Sequence, residues 1–180
     1  MIPFLRHAPA LAAIPLIFAD AASAREVTAA ERDALAERVA GFQLAATAGD
    51  AEAMVDVLPP LILPAIAEQA GIPLAELRAQ LAADELMAMV TEFWFEVDVA
   101  ATRYFDLADG TPYGLIPTET FVRMDTTAVR SATETLAVLL DGEWYLVRID
   151  EEPQVAMLRT VYPLFAEIVF PDPVVELIGP

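Results

Sequence analysis

The sequence predicts an α+β fold in which N-terminal helices pack on a curved antiparallel sheet, a cone, with an extra helix after the last strand. Three observations lead there. Apolar residues recur at the helical period from Thr28 to about Val90, at period 2 from Phe93 to about Asp150, and at the helical period again from Pro153 to Ile168. Asp109-Gly110 and Asp141-Gly142 fall inside the period-2 stretch and mark chain reversals, so successive strands lie side by side and antiparallel. With 57% hydrophobic residues, 9 Phe, 4 Tyr and 2 Trp, the chain can build a core and does not have the composition of a disordered one.

The elements follow in order. Thr28-Ala29-Ala30-Glu31 is a capping box; Leu35, Val39, Phe42 and Ala46 then repeat at helical spacing until Gly49 ends the segment. Asp50 caps a shorter helix carrying Met54, Val55 and Leu58, which Pro59-Pro60 stops. A third helical piece, kinked or restarted at Pro64, ends at Gly71. Pro73 opens a fourth, with Leu74, Leu77, Leu81 and Leu86 toward the core and an end near Val90.

From Phe93 the alternation of Phe93, Phe95, Val97 and Val99 with polar neighbours reads as a half-buried strand. Pro112 and Pro117 suggest an edge or an irregular crossing between them. A further reversal is expected as a four-residue loop over Asp125 to Ala128. The Asp141-Gly142 turn sets a register: Leu140 faces Glu143, Val138 faces Tyr145, Leu136 faces Val147 and Glu134 faces Ile149. Both faces of this hairpin are apolar, so both need cover, and the helix with Val155, Leu158, Val161 and Phe165 is the second cover. From Phe170 the chain reads as an extended tail bracketed by Pro171, Pro173 and Pro180.

Composition bounds the chemistry. The 180 residues carry Lys+Arg 10 against Asp+Glu 28, a formal charge of -18. There is no lysine, asparagine or cysteine, and the single histidine is His7. Arg6 near the start, the apolar run Ala8 to Ala19 and the small-residue site Ala22-Ser23-Ala24 have the layout of a secretory signal peptide, cleaved after Ala24. The expected organisation is therefore a leader over 1–24, one domain over 25–169 and the tail over 170–180, in a periplasmic or secreted protein without stable membrane insertion after cleavage. Cleavage removes one cation, Arg6, and one acid, Asp20, so the charge is unchanged, but it also removes the histidine.

A mature chain of this kind has no residues for a Ser-His-Asp or Cys-His triad, a histidine-bearing zinc site, a Schiff-base lysine or a P-loop. Its charge repels phosphate backbones and anionic lipid, so nucleic acid is not an expected partner. Carboxylate, tyrosine, hydroxyl and arginine chemistry remain. No cofactor, metal site or catalytic residue is assigned.

The stretch Gly41-Phe42-Gln43-Leu44-Ala45-Ala46-Thr47-Ala48-Gly49-Asp50-Ala51-Glu52-Ala53-Met54 resembles the helix-Gly-Asp-helix opening of the nuclear-transport-factor-two-like superfamily, the cystatin-like cones. Leu136-Ala137-Val138-Leu139-Leu140-Asp141-Gly142-Glu143-Trp144-Tyr145-Leu146-Val147-Arg148-Ile149 is similar to the closing hairpin of that superfamily, where a Trp follows the turn. The resemblance implies a curved sheet wrapped around a long helix with a pocket in the cone, used by enzymes and by binders alike, and a fold alone does not choose between them. The added helix after the closing strand is similar in topology to the periplasmic phospholipid carriers of the toluene-tolerance family. A ketosteroid-isomerase-like arrangement of carboxylates and a tyrosine is the catalytic style this alphabet permits.

Extending the register places Glu119, Phe121, Arg123, Arg130, Ala132 and Glu134 on the face that continues as Leu136, Val138, Tyr145 and Val147. Such a face runs from apolar depth to a charged mouth, the pattern of a small-molecule pocket, so Glu119, Arg123, Arg130, Glu134 and Tyr145 are the candidate ligand-binding residues. A structural cluster of Glu134–Arg130 or Glu119–Arg123 ion pairs at the sheet rim is the competing account, and carries more weight. Three functions stay open: an exported, non-catalytic module binding an apolar or amphipathic molecule such as a lipid, a carboxylate-based isomerase or cyclase, and a homodimerising interaction module. Binding is the reading we favour, because the residue types most enzymes use are missing.

Overall fold

The computed structural model describes residues 26–83, 91–124 and 127–178. The expected leader with its cleavage site, and Leu86, lie outside the described residues. Among the described residues, five α-helices and six strands run in the order α1 (Ala29–Ala48), α2 (Ala51–Val55), α3 (Ile62–Ala70), α4 (Leu74–Ala82), β1 (Glu92–Val97), β2 (Arg103–Asp106), β3 (Pro112–Met124), β4 (Thr127–Leu140), β5 (Glu143–Arg148), α5 (Glu152–Val161) and β6 (Val174–Ile178). This is an α+β fold with helices packed against a curved antiparallel sheet.

The helix boundaries follow local chemistry. Thr28 Oγ1 accepts from the Glu31 N–H (3.2 Å) while the Glu31 carboxylate accepts from the Thr28 N–H (2.8 Å), closing the capping box of α1. Leu35, Val39, Phe42 and Ala46 are all buried, as their spacing predicts. Pro64 sits in the first turn of α3, where its missing N–H has no partner to lose, and the helix runs on to Gly71. Of the leucines expected to face inward from α4, Leu77 is buried, whereas Leu74 and Leu81 stay exposed because α4 packs mainly through one narrow stripe onto α2 and α3. The last helix is shorter than its periodicity suggests. Pro163 disfavours helical backbone at Tyr162 (φ -123°, ψ 82°), so α5 stops at Val161 and a 3₁₀ turn, Pro163–Phe165, follows.

β3 and β4 form one long hairpin that serves two half-sheets. At one end the strand order is β2-β3-β4-β5, and at the other β1-β3-β4-β6. Pro117 lies where β2 has ended and β1 has not begun, and its carbonyl accepts from the Asp98 N–H (2.9 Å). Its missing N–H therefore falls in the gap between two neighbouring strands, which reconciles a proline with a strand paired on both sides.

The Asp141-Gly142 turn has positive φ at both residues, 52° and 86°, and pairs Leu140 with Glu143, Val138 with Tyr145 and Leu136 with Val147, the register read from sequence. Asp109-Gly110 differs. Only Gly110 has positive φ there, and the reversal is a wider loop from Leu107 to Thr111, closed by the Leu107 N–H to the Thr111 carbonyl (2.9 Å). The β3–β4 reversal is tighter than the expected four residues, since Met124 already pairs with Thr127. That moves each cross-strand pair by two positions and leaves every side chain on its expected face.

The two sheet faces are both covered. One carries Val97, Ile116, Ala137, Leu139, Trp144 and Leu146 beneath Leu35, Val39 and Phe42 of α1. The other carries Tyr113, Leu115, Leu136, Val138 and Val147 beneath Leu158 of α5 and Phe165. Trp144 locks hairpin to helix by donating to the Glu31 carbonyl (2.7 Å). The tail, expected to be merely extended, adds β6 antiparallel to the start of β4. Among the described residues no helix is long and apolar enough to cross a membrane.

Candidate functional site

A hollow of about 940 Å³ lies at the β5 edge of the curved sheet. Two helices face each other across it. α3 contributes Ile62, Ala65, Ile66 and Gln69, and α5 contributes Pro153, Ala156, Met157 and Thr160. Each set is a single stripe at helical spacing, so each wall is one side of a helix whose other side packs the core. Phe42, Met54, Val57 and Leu58 close one end, and Thr135, Leu146 and Arg148 form the floor. The volume is within the range of small-molecule sites, and the lining is predominantly apolar.

Two specific contacts fix the strand edge and the start of α3 around this space. In the β4–β5 pairing, the Leu146 backbone faces away from β4, and its N–H donates to the Val57 carbonyl (2.7 Å), pinning the segment after α2 across the strand edge. At the start of α3, the Leu61 N–H donates to the Tyr162 hydroxyl (3.3 Å), tying the start of one wall to the end of the other. Burial raises the Tyr162 hydroxyl above the usual tyrosine range, against a lowering by that same bond. Thr135 of the floor shares a buried hydrogen bond of 2.8 Å with Thr118 behind it.

Polar groups at the mouth are few. Arg148 is paired with the carboxylate of Asp150. With its amide turned to suit its neighbours, Gln154 donates to Asp150 Oδ1 (2.9 Å) and to the Arg148 carbonyl (2.8 Å). Glu68 sits on the exposed side of α3, and among the described residues its carboxylate meets no cation.

The residues singled out from sequence lie elsewhere. Glu119, Phe121, Arg130, Ala132 and Glu134 do share the face that continues into Leu136 and Val138. None of Glu119, Arg123, Arg130, Glu134 or Tyr145 lines the large cavity. They form ion pairs, with partners other than those expected: Arg130–Glu119 at 2.6 Å, Arg123–Glu92 at 3.0 Å, and Glu134 with Arg103. Glu119 holds the Arg130 guanidinium above its ordinary range. Tyr145 hydrogen-bonds Glu143 (3.2 Å) under Arg38, and its hydroxyl is raised by burial first and by Glu143 second. Glu119 and Glu134 border a smaller hollow of about 230 Å³ with Pro117, Ala132 and Asp172, where Glu134 Oε2 is buried without a hydrogen bond. Among the described residues no group of three or more acidic side chains is arranged to hold a metal ion.

Sequence reading passed over the α3 and α5 stripes because it treated every apolar helical position as core. The available signal was the small residue in each stripe, Ala65 and Ala156, since small side chains on facing helices leave space between them. No protein-family model, curated protein or solved structure matches the chain.

Proposed function

We propose that this chain is an exported, non-catalytic module that binds an apolar or amphipathic small molecule in the cavity between α3, α5 and the β5 edge. One observation carries the reading: a hollow of about 940 Å³ walled by Ile62, Ile66, Met157 and Leu146 lies beside two specific contacts, Leu146 to Val57 and Leu61 to Tyr162, that fix the strand edge and the start of α3 around it. Apolar surface left facing such a space gains by meeting a ligand of matching shape. Export is supported by the leader-like pattern over 1–24, and membership of the cone superfamily by the two stretches that resemble it and by the helix-on-curved-sheet architecture.

The carboxylate-enzyme alternative finds less support. It needs an acid inside the cavity, whereas Glu68 is exposed at the mouth and Glu119 and Glu134 are ion-paired outside it. A self-pairing module is favoured by one observation. All five residues of β6 are exposed, with Leu177 at 77%, so its outer edge offers free backbone groups to a second strand. A monomer throughout a light-scattering dilution series removes that reading.

Binding is tested by adding an environment-sensitive apolar dye to the purified protein and to A156W, which projects a large ring into the cavity from α5. We expect saturable fluorescence enhancement with the parent and its loss with A156W at unchanged circular dichroism. No enhancement with the parent, or equal enhancement with both, overturns the assignment.

A further inference from the structure

We propose that the cavity takes an amphiphile with a positively charged head, an amine on an apolar body, and discriminates against carboxylate and phosphate heads. The inference rests on the binding reading and adds its charge selectivity.

The charged and dipolar groups that would draw an anion to this mouth are already engaged, and the Gln69 amide offers a donor and an acceptor alike. Arg148, the one cation in the lining among the described residues, is neutralised by Asp150, which is nearly buried beside it and is also held by Gln154. The N-terminus of α5 has the helix polarity for an anion, but the donors that follow its first residue are absent or spent and acids crowd it. Pro153 has no N–H, the N–H groups of Gln154 and Val155 both give to the Glu151 carbonyl (3.1 and 3.2 Å), and Glu151 and Glu152 place two carboxylates at that end.

What remains favours a cation. The Glu68 carboxylate stands at the opposite rim, in the last turn of α3, where the helix polarity is negative and no basic residue offsets it. Gln154 spends its amide hydrogens on Asp150 and Arg148, leaving its carbonyl as an acceptor. A formal charge of -18 over the chain adds a field of the same sign, raising the local concentration of cations and lowering that of anions.

The test compares decylamine, decanol and decanoate, which share one chain length and differ in head charge, as displacers of the apolar dye at low and moderate salt. The amine should bind about two- to fivefold tighter than the alcohol, the scale of one exposed ion pair, with decanoate weakest. The amine's advantage should shrink with salt, and E68Q should reduce it while leaving decanol unaffected. Decanoate binding as tightly as decylamine overturns the charge selectivity while the cavity reading stands. Failure of all three to displace the dye overturns both.

Discussion

Thr135 belongs to the cavity floor and Thr118 lies behind it, and their shared bond is directional in a way that can be tested. Thr118 Oγ1 contacts the Ile116 carbonyl at 3.0 Å and Thr135 Oγ1 at 2.8 Å. A hydroxyl has one hydrogen, and the carbonyl can only accept, so the Thr118 hydrogen goes to Ile116 and the hydrogen between the threonines belongs to Thr135. The two residues are 2% and 1% exposed, so water does not compensate a lost partner. T118V leaves the Thr135 hydroxyl as a buried donor without an acceptor, costing about 1–3 kcal/mol. T135V removes only the donor, and Thr118 keeps its bond to Ile116, so the cost is about 0.5–1.5 kcal/mol. The double variant leaves no orphan and should cost no more than T118V alone, giving a coupling that opposes the sum of the singles. Urea unfolding followed by circular dichroism measures this, and thermal melts should move by about 2–4 °C per kcal/mol for a domain of this size. T135V proving more costly than T118V, or strict additivity in the double variant, refutes the reasoning.

Other expectations are simpler. L158A removes a side chain with 0% exposure from the core between α5 and the sheet and should cost about 2–5 kcal/mol in the same urea assay. Tyr113, Tyr145 and Tyr162 are all raised, chiefly by burial, so the folded state favours the protonated phenol. That contribution is intact below the ordinary tyrosine value of about 10 and is lost as pH rises through the elevated folded values; melts from pH 8 to 12 should show a steep alkaline decline, softened in Y113F. G142A forces a side chain into φ 86° and should cost about 1–2 kcal/mol by chemical denaturation. Y162F frees the Leu61 N–H and loosens the α3–α5 tie, so dye affinity should fall more than stability, comparing titration with melting.

Much of this architecture was legible in order because its signals are local. The capping box at Thr28, the glycine stops at Gly49 and Gly71, and the two positive-φ residues of the Asp141-Gly142 turn are each decided within a few residues. Errors came where a distant partner decides. Asp109-Gly110 resembles the other Asp-Gly pair in sequence, yet its loop is set by where β2 can meet β3. Pro117 looked like an edge residue until the handover between β1 and β2 supplied a place for its missing donor. The candidate residues were assigned to the correct face, but their ion-pair partners come from β2 and β1 as well as the hairpin, so Glu134 meets Arg103 and Arg123 meets Glu92.

By itself the sequence determined the α+β class, the β4–β5 register, the faces of the long hairpin and a chemical alphabet without lysine, asparagine or cysteine. Periodicity and turn chemistry are properties of neighbours along the chain, so they survive without knowledge of the fold. Only the tertiary structure decided where space is left. A cavity is the difference between the volume that elements enclose and the volume their side chains fill. Here that difference arises between α3 and α5, which are far apart in sequence and are brought together where the start of one meets the end of the other.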